Sequence, residues 1–184
     1  MVLRIPAVRG IGTVVFVLAA LVLVLLTPAA AQDPAPASAV WLADHKHLKR
    51  IDIGTNQVDL TVALDHEAEA LAVDPTDGGV WALVQKKLSK FDSNGQTVFQ
   101  VDLKGQAEKL DDPELLTLNP YDGSLWIGGE KVLLHLSAQG TRLQALESSD
   151  EIQAMGLDVD ETLWLLTHKQ LRHLSPQGAV LHSL

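Results

Sequence analysis

The sequence predicts an all-β protein, and the spacing of its tryptophans is the first reason. The four tryptophans of the 184-residue chain, Trp41, Trp81, Trp126 and Trp164, are 40, 45 and 38 residues apart, which is the spacing of a structural repeat. Around each tryptophan, apolar and polar residues alternate with a period of two, and glycine-containing turns interrupt them, as in β-hairpins. A repeat of 38 to 45 residues that contains four strands is typical of a β-propeller blade. We therefore predict about four four-stranded, Trp-centred blades.

The first 38 residues stand outside this repeat. Arg4 and Arg9 precede an uncharged segment from residue 10 to 26, which is followed by a run of three alanines. This pattern predicts a secretory signal peptide over residues 1–31, cleaved after the alanines, and the alternative is an uncleaved membrane anchor. Residues 32–38 form a Pro/Ala linker. We therefore expect an exported protein, periplasmic or extracellular, that meets the membrane only through an uncleaved signal segment.

Composition excludes several classes of function. The chain has no Cys, which removes disulfide scaffolds, thiolate zinc sites and Cys nucleophiles. Its net charge is -9, and without residues 1–31 it keeps 12 basic and 23 acidic residues. A nucleic-acid partner is not expected, because binding to a phosphate backbone depends on concentrated positive charge.

Aligning the chain on its tryptophans defines the strands of each blade. A leucine follows each Trp after seven residues, and a lysine follows after five, in the turn between the Trp strand and the next strand; these are Lys46, Lys86, Lys131 and Lys169. A further strand precedes each of the later tryptophans and ends in a turn that contains Asp or Asn, as at 74–78 and 119–123. The predicted blades span residues 39–64, 65–109, 110–149 and 150–184.

The first and fourth blades depart from this pattern. Residues 32–38 are too few and too rich in proline to form an inner strand before Trp41, so we predict fifteen strands. In the fourth blade we place the end of the inner strand at Asp160, in a turn three residues shorter than the others. We expect an incomplete ring or part of a larger propeller, and the alternative is a four-bladed ring with one defective blade.

Two columns of the alignment have a structural interpretation. The tryptophans are expected to pack blade against blade, because their neighbours in sequence are apolar, and Trp126 is expected to be more enclosed than Trp41 in the incomplete blade. Nine residues after each Trp stands a base, and these are Arg50, Lys90, His135 and His173. Since histidine replaces Arg or Lys there, we predict that these positions are solvated.

Several segments resemble known propeller repeats. Residues 122–129, Asp-Gly-Ser-Leu-Trp-Ile-Gly-Gly, are similar to the D-G-x-L-W-I-G core of the two-component-regulator propeller repeat, and residues 90–92 are similar to its closing basic-aromatic-Asp step. Residues 39–184 as a whole resemble the broad family of bacterial NHL-like, SMP-30-like and two-component-regulator propeller repeats. This resemblance implies the fold and no particular activity, because propellers host many activities.

The same resemblance suggests one metal site. SMP-30-like lactonases place a Glu, an Asn and an Asp around a metal at the mouth of the channel, and Glu69, Asn119 and Asp150 are the matching residue types here. Their spacing does not require that role. Asn119 is better explained as a turn residue equivalent to Asp74 and Asp160.

The crossovers between blades are acidic and are expected on the same side as the turn lysines. Their acidic residues are Asp65, Glu67 and Glu69, then Asp111, Asp112 and Glu114, then Asp150 and Glu151. One interpretation is a funnel that binds a divalent cation or a cationic ligand, since hard cations prefer several carboxylate oxygens. The interpretation that we favour is that lysine turns and acidic crossovers neutralise one another in water, where each pair contributes about 0 to 1 kcal/mol.

Catalytic motifs are absent from the sequence. It contains no G-x-S-x-G, no phosphate-binding loop, no nucleotide fingerprint and no helical pair of zinc-binding histidines, so we predict no catalytic residue and no cofactor. A divalent cation stays open as an alternative, with His45 and His66 as the histidine candidates. We expect a non-catalytic module that recognises or scaffolds a protein or ligand. The alternative is a metal-dependent lactonase or lyase of the SMP-30-like or streptogramin-lyase-like type.

Overall fold

The computed structural model describes residues 39–184. The predicted signal peptide and linker lie outside these described residues. Within the described part, all regular structure is β, with fifteen strands in four antiparallel sheets. In that same part, no helix is long and apolar enough to span a bilayer.

Each sheet is one blade, in which strands that follow one another in the chain lie side by side. Blade 1 contains β1 (Ala39–Asp44), β2 (His47–Asp52) and β3 (Gln57–Ala63). Blade 2 contains β4 (Ala70–Val73), β5 (Val80–Val84), β6 (Lys87–Phe91) and β7 (Thr97–Asp102). Blade 3 contains β8 (Leu115–Leu118), β9 (Leu125–Gly128), β10 (Val132–Leu136) and β11 (Arg142–Glu147). Blade 4 contains β12 (Ile152–Leu157), β13 (Leu163–Thr167), β14 (Leu171–Leu174) and β15 (Val180–Ser183).

The predicted fold class is confirmed, including the three-stranded first blade. The first strands of successive blades contact one another, β1 with β4, β4 with β8, and β8 with β12. Blade 1 begins at its Trp strand, so the position that β4, β8 and β12 occupy in the other blades is not filled by any described residue.

Three apolar clusters hold the four blades together, one at each junction. Trp41 packs with Val80 and Ala82 between blades 1 and 2. Trp81 packs with Leu125 and Ile127 between blades 2 and 3. Trp126 packs with residues of β12 and β13 between blades 3 and 4. Among residues 39–184 these clusters join the blades in a row, and no fourth cluster joins blade 4 to blade 1.

The Trp column therefore faces the next blade in the row. Trp41, Trp81 and Trp126 are buried, whereas Trp164 in the last blade is only partly covered. As expected, Trp126 is more enclosed than Trp41, at 1% against 7% exposure, although Trp41 is buried as well. Trp41 has blade 2 in front of it, and its indole Nε1 donates to the Gly78 carbonyl at 3.1 Å.

The inner hairpin of blade 4 also differs from the prediction. Ala72 and Thr117 lie directly opposite the tryptophans of their blades, and the equivalent residue in blade 4 is Gly156. The turn residue that matches Asp74 and Asn119 is therefore Asp158, not Asp160. The turn is one residue shorter than the others, because the backbone N–H of Asp158 bonds Thr162 whereas that of Asp74 bonds Gly79.

Candidate ligand-binding rim

The turn lysines and the acidic crossovers lie at one rim of the blades. The four lysines occupy the turns β1–β2, β5–β6, β9–β10 and β13–β14, and the acidic segments precede β4, β8 and β12. Two ion pairs join the two sets, Lys86 with Asp111 at 3.1 Å and Lys169 with Asp150 at 2.5 Å. We call this part of the surface the lysine rim.

Each pair at the rim has one well-exposed partner, Asp111 in the first and Lys169 in the second, whereas the Asp150 side chain is only 12% exposed. Hydrogen bonding from Lys169 lowers the pKa of Asp150 below its usual value, although partial desolvation opposes the shift. His168 lies 3.1 Å from Glu151 beside this pair. Exposed ion pairs are screened by water and contribute little to stability.

A groove crosses the rim over blade 2 and consists of two adjoining cavities. The first, of about 480 Å³, lies between the end of β3 and blade 2, and its lining includes His66 and the charged residues Asp65, Lys86, Lys87, Asp102 and Lys104. The second, of about 420 Å³, lies against the crossover to blade 3, and is lined by Glu69, Gln85, Lys86, Lys104, Asp112, Pro113 and Glu114. Both cavities share Gln85, Lys86 and Lys104. We call the pair of cavities the rim groove.

The backbone of the rim groove is held in an uncommon conformation at two positions. Gln85 has φ of 55° and Asp112 has φ of 40°, both in the left-handed region that side chains other than glycine rarely adopt. Such residues cost energy and persist only where the surrounding structure imposes them. At Gln85 the cause is local, because it stands in the short turn between β5 and β6.

The predicted acidic residues are distributed along the rim and do not converge on one point. Asp65 lines the first cavity, and Glu69, Asp112 and Glu114 line the second. Asp111 and Asp150 pair with lysines, Glu151 lies beside His168, and Glu67 is exposed. Within residues 39–184, no group of three His, Cys, Asp or Glu side chains is arranged to hold a metal ion.

The residues suggested by the lactonase resemblance do not fit a shared metal. Asn119 is buried, its Oδ1 accepts from the Tyr121 N–H at 3.0 Å, and its Nδ2 donates to Glu161 at 2.8 Å. Asp150 is held by Lys169. Neither side chain is free to act as a ligand beside Glu69, so no chemical step is derived from that set.

The histidine candidates occupy separate places. His45 lies in the β1–β2 turn with its Nε2 3.9 Å from Asp44, and its side chain is largely exposed. His66 lines the first cavity of the rim groove. In the described residues they belong to no metal-binding group.

The column of bases has a role that the sequence analysis missed. Arg50, Lys90, His135 and His173 lie directly opposite the Trp of their own blade. The imidazoles of His135 and His173 stack on their indole rings at centroid distances of 3.9 and 4.2 Å, and the Lys90 Nζ lies 5.7 Å from the Trp81 ring. The prediction that these positions are solvated is wrong for His135, which is buried.

This pairing was accessible from the sequence. The Trp strand and the next strand form a hairpin with a two-residue turn that contains the lysine. In such a hairpin, residues equally far from the turn on the two strands lie opposite each other, so Trp pairs with the residue nine positions after it. The base then covers one face of the indole as a cross-strand neighbour. What the sequence could not supply is the burial of His135, which depends on the adjacent blade.

Comparisons with known proteins support the fold. No protein-family model matches the chain, and no curated protein matches it. Hydrazine synthase of Kuenenia stuttgartiensis is 16% identical over 87% of this chain and 51% of that chain, with a TM-score of 0.67. The WD40 domain of Neurospora crassa Pan2 is 12% identical over 80% of this chain and 46% of that chain, with a TM-score of 0.65.

A protein of unknown function from Bacteroides caccae is 14% identical over 80% of this chain and 58% of that chain, with a TM-score of 0.58. At such identities the similarity shows the fold alone. The class that emerges is a β-propeller repeat protein. This chain spans between 46% and 58% of the length of these matched chains.

Proposed function

We propose that this chain is an exported, non-catalytic propeller module of the NHL-like or SMP-30-like kind that recognises a segment of another protein through the rim groove. The observation that carries this proposal is that two neighbouring cavities share the lining residues Gln85, Lys86 and Lys104. Binding sites are typically concave surfaces with a few convergent polar groups. Export rests on residues 1–31 alone.

The charges of the groove indicate the chemistry of its ligand. The second cavity places the amines of Lys86 and Lys104 together with the carboxylates of Glu69, Asp112 and Glu114. An extended peptide with acidic and basic side chains can contact both sets, whereas a ligand of one charge is complementary to only one of them. We therefore infer a peptide segment of mixed charge as the partner.

The metal-dependent lactonase or lyase is not proposed as a second candidate. No specific observation in residues 39–184 favours it, because Asn119 and Asp150 are already engaged with protein partners.

A selected peptide provides the test. We expect a random peptide library displayed on phage to yield mixed-charge peptides that bind the full chain. Replacing both Lys86 and Lys104 by Ala should weaken binding about tenfold or more, because hydrogen bonds to charged groups contribute about 1.5 to 3 kcal/mol each. Fluorescence polarisation of the synthetic peptide measures this change.

The matched control is Lys131→Ala, the same turn position in blade 3, which lines neither cavity of the groove. We expect it to bind the peptide as the unchanged protein does. Equal losses at both sites would show a general charge effect, and no selection of peptides would count against recognition at this groove.

A further inference from the structure

The two terminal blades expose sheet faces that are covered everywhere else in the row. In blade 1, Val40 and Leu42 are 50% and 46% exposed. They lie on the side of β1 opposite Trp41. Val40 pairs with Ile51 on β2, and Ile51 pairs with Val58 on β3, so these two residues belong to the same side of the sheet. We call this surface the acceptor face.

The acceptor face repeats a surface that each of the other blades buries. Val40 and Leu42 immediately precede and follow Trp41, and the equivalent residues are Val80 and Ala82 in blade 2, Leu125 and Ile127 in blade 3, and Leu163 and Leu165 in blade 4. All six are between 0% and 3% exposed, because they receive the Trp side of the preceding blade. Blade 1 presents the same receptor positions with nothing described in front of them.

The opposite end of the row presents the complementary surface. On β13, Trp164 and Leu166 share one side, and His173 and Leu171 lie directly opposite them on β14. Leu166 is 40% exposed, and the ring of Trp164 is covered on one side by His173. We call this surface the donor face. In blades 1 to 3 the corresponding Trp is inserted into the next blade.

The donor face therefore matches the Trp side of blades 1 to 3, and the acceptor face matches the surface on which that side packs at each of the three junctions. A surface that fits a different surface on an identical chain makes a head-to-tail contact, which closes into a ring when the rotation allows it. Two copies contain eight blades, within the range of about four to eight over which propellers close.

We propose that two copies of this chain associate head to tail, with the donor face of each packed on the acceptor face of the other, to form an eight-bladed ring. The occupant of each exposed face is thus a second copy of the chain. This inference does not depend on the rim groove, because its residues lie on the terminal blades.

Sedimentation of the full chain tests the stoichiometry. We expect a species of twice the monomer mass, and not an open series of longer oligomers. Val40→Glu on the acceptor face and Leu166→Glu on the donor face should each give a monomer, since a buried unpaired carboxylate is strongly unfavourable. Val98→Glu is the matched control, because Val98 is 55% exposed on the outer strand of blade 2, away from both faces. It should remain dimeric.

Mixing the two monomeric variants separates head-to-tail packing from the alternatives. The Val40→Glu chain keeps an intact donor face, and the Leu166→Glu chain keeps an intact acceptor face. Together they should form a heterodimer joined at that one junction, while the second junction, which carries both glutamates, stays open. Recovery of the dimer also shows that both variants are folded, which their circular dichroism checks independently. A symmetric contact would instead be broken by only one variant, and that result overturns the proposal.

Engineered cysteines give a second measurement, because the chain has no Cys of its own. Val40→Cys and Leu166→Cys chains, mixed under oxidising conditions, should form mainly the mixed disulfide. Predominant homodisulfides, a monomeric unchanged protein, or dimers unaffected by both glutamate variants would each overturn the proposal.

Discussion

In blades 2 and 4, the side chain opposite the tryptophan connects the Trp strand to the inner turn of the same blade. Lys90 covers the Trp81 ring, and its Nζ lies 2.7 Å from both Asp74 and Asp77. Burial opposes ionisation of Asp74, but hydrogen bonds from Lys90 and Thr76 outweigh it, so the pKa of Asp74 lies below its usual value. In blade 4, His173 plays the same part toward Thr162, at 2.7 Å.

His135 is the buried member of this column, and its titration has a consequence for stability. Burial lowers the pKa of His135 below its usual value, and the charge of Asp122 offsets only part of this effect. As the pH falls through about 6.5, the unfolded chain binds a proton there before the folded chain does, so the folded state loses stability. Replacing His135 by Gln should flatten the decline in the free energy of unfolding from about pH 7.5 to about pH 5.

Urea denaturation across this pH range measures the effect. The unchanged protein, measured at the same pH values, is the control. Parallel curves for His135→Gln and the unchanged protein would contradict the assignment.

At the scale of the element, the outer hairpins of blades 2, 3 and 4 each contact the outer strand of the preceding blade at a glycine. Gly95, Gly140 and Gly178 have φ of 76°, 72° and 79°. A Cβ at Gly95 would lie 2.5 Å from Val62 on β3, and one at Gly178 would lie 2.6 Å from Leu146 on β11. Glycine is needed both for the backbone conformation and for the close approach of two outer strands.

Gly95→Ala separates these two requirements when it is compared with Gly105→Ala. Gly105 has φ of 79° but open space around it, so alanine there should cost about 1 to 2 kcal/mol for the left-handed backbone alone. Gly95→Ala should cost a further 1 to 3 kcal/mol or so, because the added methyl group overpacks against Val62. Urea denaturation measures both changes.

A Val62→Ala background supplies the control for packing. The additional cost of Gly95→Ala should shrink there, since the methyl group then has room, and a double-mutant cycle isolates that coupling. Equal costs for Gly95→Ala and Gly105→Ala would mean that the contact between outer strands contributes nothing.

At the scale of the molecule, stability comes from the three junctions between blades. Trp126 fills the junction of blades 3 and 4 and is 1% exposed, whereas Trp164 lies at the end of the row. Trp126→Ala should therefore lower the free energy of unfolding by about 3 to 5 kcal/mol, the usual cost of emptying a large aromatic site. Trp164→Ala should cost clearly less within one chain, because its ring already contacts solvent.

Equilibrium denaturation at several protein concentrations measures these costs. The concentration series separates the stability of one chain from any stabilisation by association, which depends on concentration. Equal costs for the two variants at the lowest concentration would contradict a row of blades with an open end at Trp164.

The sequence by itself determined the period, the strand count and the three-stranded first blade. These features depend on local rules: alternation of apolar and polar residues specifies a strand, and turn residues specify where it reverses. The four tryptophans supplied the alignment that turned these local signals into blades. The acidic and lysine-bearing segments were also identified, since their order along the chain places them at one rim.

Only the tertiary structure decided how these elements meet. The turn residue of blade 4 is Asp158 and not the predicted Asp160. The end of β12 is fixed by its pairing with the strand that carries Trp164, and the spacing of the aspartates does not show that pairing. His135 is buried because blade 4 lies in front of Trp126, and Trp164 is partly exposed because no described blade lies in front of it. The rim groove joins residues from three blades. Burial and cavities arise from contacts between distant segments, and a local pattern of residues carries no information about which distant segment covers it.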